Sequence, residues 1–163
     1  MKQIMLVICI LISTTAYTQT NLSNNSTIPV PVTDAFLKKF PNSTEVNWGD
    51  NYSKSAAPAN TVYFVSFRTT MSNKTNEVWL DKDGNMLKHR KEIETSALPD
   101  EVQRSLARNF SGYTVTGAER WEENNRVSYM MVIKDNAKEK TVVMDSNGMI
   151  KDNTVAVPGE FVK

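Results

Sequence analysis

Apolar residues fall at helical spacing in two segments of the chain, and each segment begins with a proline. The first stripe consists of Val32, Ala35, Phe36 and Phe40, and the second consists of Val102, Leu106 and Phe110. Pro31 and Pro99 suit the first turn of a helix, because the backbone N–H that proline lacks would have no helical partner there. The pattern predicts two short helices, one beginning near residue 31 and the other near residue 99.

Alternating apolar and polar residues follow each predicted helix and indicate β-strands. Residues 63–67 and 129–133 give the clearest alternation, with large apolar side chains at every second position. Further strands are expected at residues 45–48, 77–81 and 86–88 after the first helix, and at residues 115–121, 140–145 and 149–151 after the second. Each block therefore reads as one helix followed by about four antiparallel strands.

The two blocks place the same kinds of element in the same order, which indicates one supersecondary unit used twice. We therefore expect an α+β fold of two tandem repeats, residues 28–92 and 93–151, with both helices packed on one side of the sheet. The copies differ most at residues 49–60, a polar insertion that has only residues 122–126 opposite it. We expect this insertion to be a surface loop, which is either decoration or the source of specificity.

The N-terminus has the pattern of an export signal. Lys2 supplies a positive charge, residues 4–12 are uniformly apolar, and small or polar residues follow. We predict a signal peptide at residues 1–18, a flexible leader at 19–27 and a C-terminal tail at 152–163. The apolar run is too short for a stable membrane anchor. The expected location is the periplasm or the exterior, with no membrane span after cleavage.

Charge and cysteine content restrict the partners of the exported chain. The 163 residues include 19 basic and 18 acidic side chains, and removal of residues 1–18 removes one basic residue, Lys2. A formally neutral protein of this kind is not typical of nucleic-acid or anionic-membrane binding. The single cysteine, Cys9, lies within the predicted signal, so the exported chain has to fold without disulfides.

Several segments, in the order in which they occur, carry a resemblance to a known family. They are the two proline-led helices, Val46-Asn47-Trp48, Val78-Trp79-Leu80-Asp81-Lys82-Asp83-Gly84 and Met144-Asp145-Ser146-Asn147-Gly148. Over residues 28–151 the chain resembles small exported bacterial proteins called PepSY-like or beta-lactamase-inhibitor-like. The resemblance implies a tandem fold of helix plus antiparallel strands, no catalytic residues, and binding of another exported protein, with hydrolases or peptidases as suspected targets.

One acidic segment is similar to a calcium-binding loop. Asp81, Asp83, Asn85 and Glu92 match four ligand positions of such a loop, but its sixth position, where glycine belongs, is Met86. The flanking segments also predict strands rather than helices. A tight turn, in which an aspartate caps the backbone and a glycine takes positive φ, explains the segment better. We therefore expect no metal site.

No constellation of side chains indicates catalysis. His89 is the only histidine, no mature cysteine is present, and no nucleophile motif accompanies either. We expect His89 to be exposed and residues 88–91 to form a basic surface linker between the repeats. The sequence thus predicts a non-enzyme with no cofactor and no catalytic residue, and a small hydrolase is the least favoured class.

Large apolar residues also occupy strand positions that should face away from the helices. A sheet covered on one side is expected to be polar on the other, so such residues indicate an interaction surface. The candidate protein-binding residues are Trp48, Phe64, Trp79, Trp121 and Met130. Alternatively, the tryptophans fill the core or the joint between repeats. The first hypothesis is an exported protein-binding module that inhibits or chaperones a hydrolase or peptidase; the second is a structural, envelope-associated protein with no specific ligand.

Overall fold

The structure is a computed structural model that describes residues 28–49, 61–136 and 138–154. The predicted signal peptide and leader, residues 50–60 of the insertion and residues 155–163 lie outside it. In chain order the elements are α1 (Val30–Lys39), β1 (Ser43–Gly49), β2 (Val62–Thr69), β3 (Ser72–Asp81), β4 (Met86–Ile93), a 3₁₀ turn (Thr95–Ala97), α2 (Asp100–Asn109), β5 (Thr114–Glu123), β6 (Arg126–Lys134), β7 (Glu139–Asp145) and β8 (Ile150–Thr154).

All eight strands form one antiparallel sheet in the order β1-β2-β3-β4-β5-β6-β7-β8. The expected α+β fold of two helix-plus-four-strand units is therefore wrong: the molecule is mostly a single sheet with two ten-residue helices. The physical reason lies at the expected boundary. β4 and β5 pair without interruption from Lys88 opposite Glu123 to Ile93 opposite Ala118, so the backbone hydrogen bonds continue where a division was expected.

Helix α1 packs on β2 and β3 through aromatic and β-branched side chains. Phe36 meets Phe67 edge to face, with ring centroids 5.0 Å apart, and Val32, Val65 and Val78 are fully buried around them. Edge-to-face contacts of this kind favour the pair beyond the area that it buries. This cluster holds one end of the sheet against α1.

Helix α2 packs on the other end of the same sheet face. Val102 and Leu106 lie against β5, β6 and β7, where Met131, Val142 and Met144 are fully buried. Cross-strand pairs continue from one cluster to the other with side chains on a common face, so both helices cover the same side. That side is called the covered face below.

His89 lies on the covered face between the two clusters, contrary to the expectation that it is exposed. Its ring is 5.3 Å from that of Phe40 in an edge-to-face contact, and its Nε2 is 3.3 Å from Oδ1 of Asn76. Burial lowers the pKa of His89 to about 4, and Arg120 acts in the same direction against the opposing effect of Glu122. The basic segment is therefore a central strand, β4, and the surface-linker interpretation is wrong.

The acidic segment after β3 is a tight turn, as the sequence predicted. Oδ1 of Asp81 accepts hydrogen bonds from the backbone N–H groups of Asp83 and Asn85, both at 2.9 Å. Gly84 has φ of +84°, and a Cβ there would lie 2.6 Å from the carbonyl oxygen of Pro31. The turn thus needs glycine both for its backbone conformation and for its contact with α1. In the part of the chain that the structure describes, no helix is long and apolar enough to cross a membrane.

Candidate functional site

The sheet side opposite the helices, called the open face, carries a row of aromatic side chains. Phe64 on β2 lies directly opposite Trp79 on β3, and Trp79 lies opposite Lys88 on β4. The rings of Phe64 and Trp79 are 5.1 Å apart. Gly49 on β1 completes the row, since a Cβ there would come within 2.7 Å of Phe64 Cδ1. The absent side chain at Gly49 leaves room for the Phe64 ring.

Trp121 joins this row from β5, two strands away from Trp79. The two indoles are nearly parallel, with an interplanar angle of 19° and centroids 6.3 Å apart. The Lys88 ammonium belongs to the same group of side chains, 4.3 Å from the Trp121 ring and 5.4 Å from the Trp79 ring. Such contacts between a cation and aromatic rings are favourable. We call Phe64, Trp79 and Trp121 the aromatic cluster.

Next to the aromatic cluster, Arg90 is held between two carboxylates. Its guanidinium forms ion pairs with Glu77 on β3, at 2.7 Å, and with Glu119 on β5. The hydrogen bond that Arg90 donates to Glu119, followed by the one that it donates to Glu77, holds the pKa of Arg90 above its ordinary value in spite of burial. Glu119 also accepts a hydrogen bond from Nε1 of Trp121, at 2.9 Å. The network fixes the position of one indole of the aromatic cluster.

Met130 lies farther along the open face, opposite Glu119 on β5 and Val143 on β7. It lines a cleft of about 190 Å³ together with Glu92 and Val132. The apolar surface of the open face therefore extends beyond the aromatic cluster toward β6 and β7. Four of the five residues predicted for the binding surface, Phe64, Trp79, Trp121 and Met130, share this face.

Trp48, the fifth predicted residue, is on the covered face, where its ring is 5.3 Å from that of Phe36. The cause is a register change in β1. Thr44 pairs with Arg68, but Asn47 pairs with Ser66, which leaves an extra residue in β1 near Glu45, whose φ is +50°. A shift of one residue turns every following side chain to the other face. Trp48 therefore packs, partly buried, against the cluster of buried residues beneath α1.

Sequence reasoning missed the polar residues of the open face, namely Glu77, Lys88, Arg90 and Glu119. Alternation along β4 was the available signal, because Lys88 and Arg90 share one face if residues 88–91 form a strand. Their carboxylate partners come from β3 and β5, and pairing between distant strands is not visible in local spacing. Among the described residues, no three His, Cys, Asp or Glu side chains are grouped as metal ligands.

Three solved structures from Bacteroides share this fold. A BLIP-like protein from Bacteroides fragilis matches with a TM-score of 0.65 and 18% identity, over 82% of this chain and 89% of that one. A DUF2874 family protein from Bacteroides uniformis matches with a TM-score of 0.66 and 15% identity, over 81% and 92%. A protein from Bacteroides eggerthii, described as a candidate periplasmic protein, matches with a TM-score of 0.64 and 14% identity, over 80% and 90%.

At these identities the likeness establishes the fold alone. The beta-lactamase-inhibitor-like fold that the sequence implied agrees with the BLIP-like match. The PepSY-like assignment stays a prediction, whereas the two expected tandem units are replaced by one continuous sheet. No protein-family model matches the chain, and no curated protein matches it in sequence.

Proposed function

We propose that this protein is an exported, non-enzymatic module that binds another exported protein through the open face. The aromatic cluster is the observation that carries this proposal. Phe64, Trp79 and Trp121 are each only partly buried, although each is large and apolar. Tryptophan is a frequent anchor in protein interfaces, and clustered anchors contribute most of the binding energy.

The arrangement around the aromatic cluster supports the same function. The anchors stand on paired strands of a sheet, so their backbone positions are set before a partner arrives. Arg90 and its two carboxylates border the aromatic cluster, as a polar rim borders an interface core. A partner therefore meets an ordered surface and loses little conformational entropy in forming the contact.

The structural neighbours support export and protein binding for this chain. One is described as BLIP-like and another as a candidate periplasmic protein. The sequence adds the predicted signal peptide at residues 1–18. We propose a partner in the periplasm or outside the cell; inhibition or chaperoning of a secreted hydrolase or peptidase is the specific form of this function that the sequence favours.

The test compares capture of exported proteins by variants of the two sheet faces. Phe64→Ala combined with Trp79→Ala truncates the aromatic cluster. The matched control combines Val30→Ala with Leu37→Ala, which truncates exposed apolar side chains of α1 on the other side of the molecule. Purified proteins bearing these changes are immobilised and exposed to periplasmic extract, and the captured proteins are identified by mass spectrometry. Thermal unfolding verifies that both variants fold.

We expect the wild-type protein and the α1 control to capture the same partner, and the cluster variant to lose it. Equal capture by all three folded proteins would show that the aromatic cluster is not the binding surface. Capture lost only by the α1 control would place the interface on the helices instead.

A further inference from the structure

Lys88 is a cation at the centre of the aromatic cluster, and no described carboxylate forms an ion pair with it. Its ammonium is balanced only by the ring faces of Trp79 and Trp121. The neighbouring cation, Arg90, differs because Glu77 and Glu119 both bind it. Among the described residues, the open face therefore presents one cation that is paired with carboxylates, Arg90, and one that contacts only aromatic rings, Lys88.

Among the described residues, Glu123 is a candidate counter-ion for Lys88. It lies directly opposite Lys88 in the pairing of β4 with β5, at the exposed end of β5. Its carboxylate nevertheless forms no ion pair with Lys88, whose side chain instead extends over the indoles. The hydrogen-bond donors of Lys88 thus remain available to a partner.

Covering the aromatic cluster has an electrostatic consequence. Lys88 lies against the same rings that a partner would bury, so a partner that excludes water from Trp79 and Trp121 also removes water from the Lys88 ammonium. An ammonium buried without a counter-charge is strongly unfavourable. A carboxylate placed on it restores the balance, and a charge-assisted hydrogen bond of this kind is stronger than a neutral one.

We propose that the partner presents an aspartate or glutamate beside an apolar or aromatic side chain. The carboxylate pairs with Lys88, and the apolar side chain lies against Phe64 and Trp79. Arg90 does not take this role, because Glu77 and Glu119 bind its two terminal nitrogens and would repel a further carboxylate. This inference deepens the proposed function and rests on it.

Displayed peptides give a defined test. A library of short random peptides is selected on the purified protein, and the tightest binder that contains Asp or Glu is synthesised together with a twin carrying Asn or Gln at that position. Dissociation constants of both twins are measured for the wild type, Lys88→Met and Lys140→Met. Lys140 is the matched control, because its ammonium lies 5.1 Å from the ring of Tyr113, away from the aromatic cluster.

We expect selected peptides to be enriched in an acidic residue next to an apolar one. The acidic twin should bind the wild type and Lys140→Met about tenfold more tightly than the amide twin, the effect of one charge-assisted contact. The twins should bind Lys88→Met equally. Absence of acidic residues from the selected peptides, equal binding of the twins to the wild type, or a preference that survives in Lys88→Met would overturn the inference.

The same peptides separate this inference from the proposed function. Peptides that lose binding to the Phe64→Ala/Trp79→Ala variant but tolerate both Lys88→Met and the amide substitution support the open face and refute only the carboxylate. Peptides that bind the Phe64→Ala/Trp79→Ala variant as they bind the wild type refute the open face itself. A library without any binder that depends on Phe64 and Trp79 counts against both.

Discussion

Gly148 touches the backbone of Glu101: a Cβ at Gly148 would lie only 2.5 Å from the Glu101 carbonyl oxygen. The turn between β7 and β8 is thus pressed against the first part of α2. Gly148 also has φ of +76°, a conformation that disfavours side chains. The turn can therefore approach α2 this closely only because residue 148 is a glycine.

Gly148→Ala is accordingly expected to lower the free energy of unfolding by about 2–5 kcal/mol, because backbone strain and overpacking add. Gly112→Ala is the control: Gly112 has φ of +93° but nothing lies within 4 Å of an added Cβ. This second change should cost only the strain, about 1–2 kcal/mol. Urea unfolding monitored by circular dichroism measures both. Equal losses would mean that the contact with Glu101 contributes nothing.

Adjacent methionines on β6 test the assignment of the two sheet faces. Met131 is fully buried beneath α2, whereas Met130 is on the open face and partly exposed. Met131→Ala should reduce the free energy of unfolding by about 2–5 kcal/mol by leaving a cavity. Met130→Ala should cost less than about 1 kcal/mol, since surface substitutions rarely cost more. Chemical denaturation distinguishes them, and the reverse order would contradict the assigned faces.

Arg90→Met should destabilise the protein because it leaves Glu77 and Glu119 without their shared cation. The three side chains are only 16–22% exposed, so the expected loss is about 2–3 kcal/mol, below that of a fully buried pair. Arg68→Met is the matched control, since Arg68 pairs with the exposed carboxylate of Glu45, and should change stability by about 0–1 kcal/mol. Denaturant unfolding measures both variants. Equal losses in the free energy of unfolding would show that the ion pairs of Arg90 stabilise the protein no more than the exposed pair of Arg68.

The lowered pKa of His89 predicts a loss of stability in mild acid. In the unfolded chain His89 takes up a proton near pH 6.5, but in the folded protein it does so only near pH 4. Between these values the unfolded state binds more protons, so the free energy of unfolding falls as the pH falls. Because the ring is partly exposed, we expect a loss of about 1–2 kcal/mol from pH 7 to pH 4.

His89→Gln removes this titration and provides the comparison. Its stability should decline less than that of the wild type between pH 6.5 and pH 4, while both remain subject to protonation of carboxylates. Urea midpoints across this range give the difference. Parallel profiles for the two proteins would indicate that His89 titrates normally in the folded state.

Gly49→Ala should disturb the open face while leaving the helix-packed clusters intact. The new methyl group would meet Phe64 Cδ1 at 2.7 Å, so the ring has to move away from its position beside Trp79. We expect partner capture to weaken several-fold, because a few anchor residues such as Phe64 carry most of the binding energy. Thermal stability should remain nearly unchanged, because the helix-packed clusters are left intact. Unchanged capture would show that the position of the Phe64 ring does not matter for binding.

The sequence pattern located both helices and at least part of each of the eight strands that the structure describes, although it treated most of β4 as a linker. Apolar spacing of three and four residues gave α1 and α2, and alternation gave strands as short as residues 45–48. The turn after Asp81 followed from its residue types as well, since the aspartate and the glycine act within the turn itself. These features depend on residues close together in sequence, where a local pattern carries the physical cause.

The site depended on relations between distant residues. One extra residue in β1 turns Trp48 to the core, while without it the pairing would put Trp48 opposite Phe64 on the open face. Composition gave no indication of that choice. The contact between Lys88 and Trp121 likewise exists only because β4 pairs with β5 in one register.

The sequence by itself determined the positions of the helices, strands and turns, because propensity and periodicity act over a few neighbouring residues. Only the tertiary structure decided that one sheet replaces two units and which tryptophans face outward. It also decided that Arg90 pairs with two carboxylates, whereas Lys88 pairs with none among the described residues. Those outcomes follow from strand register and cross-strand pairing, which depend on backbone hydrogen bonds between segments far apart in the chain.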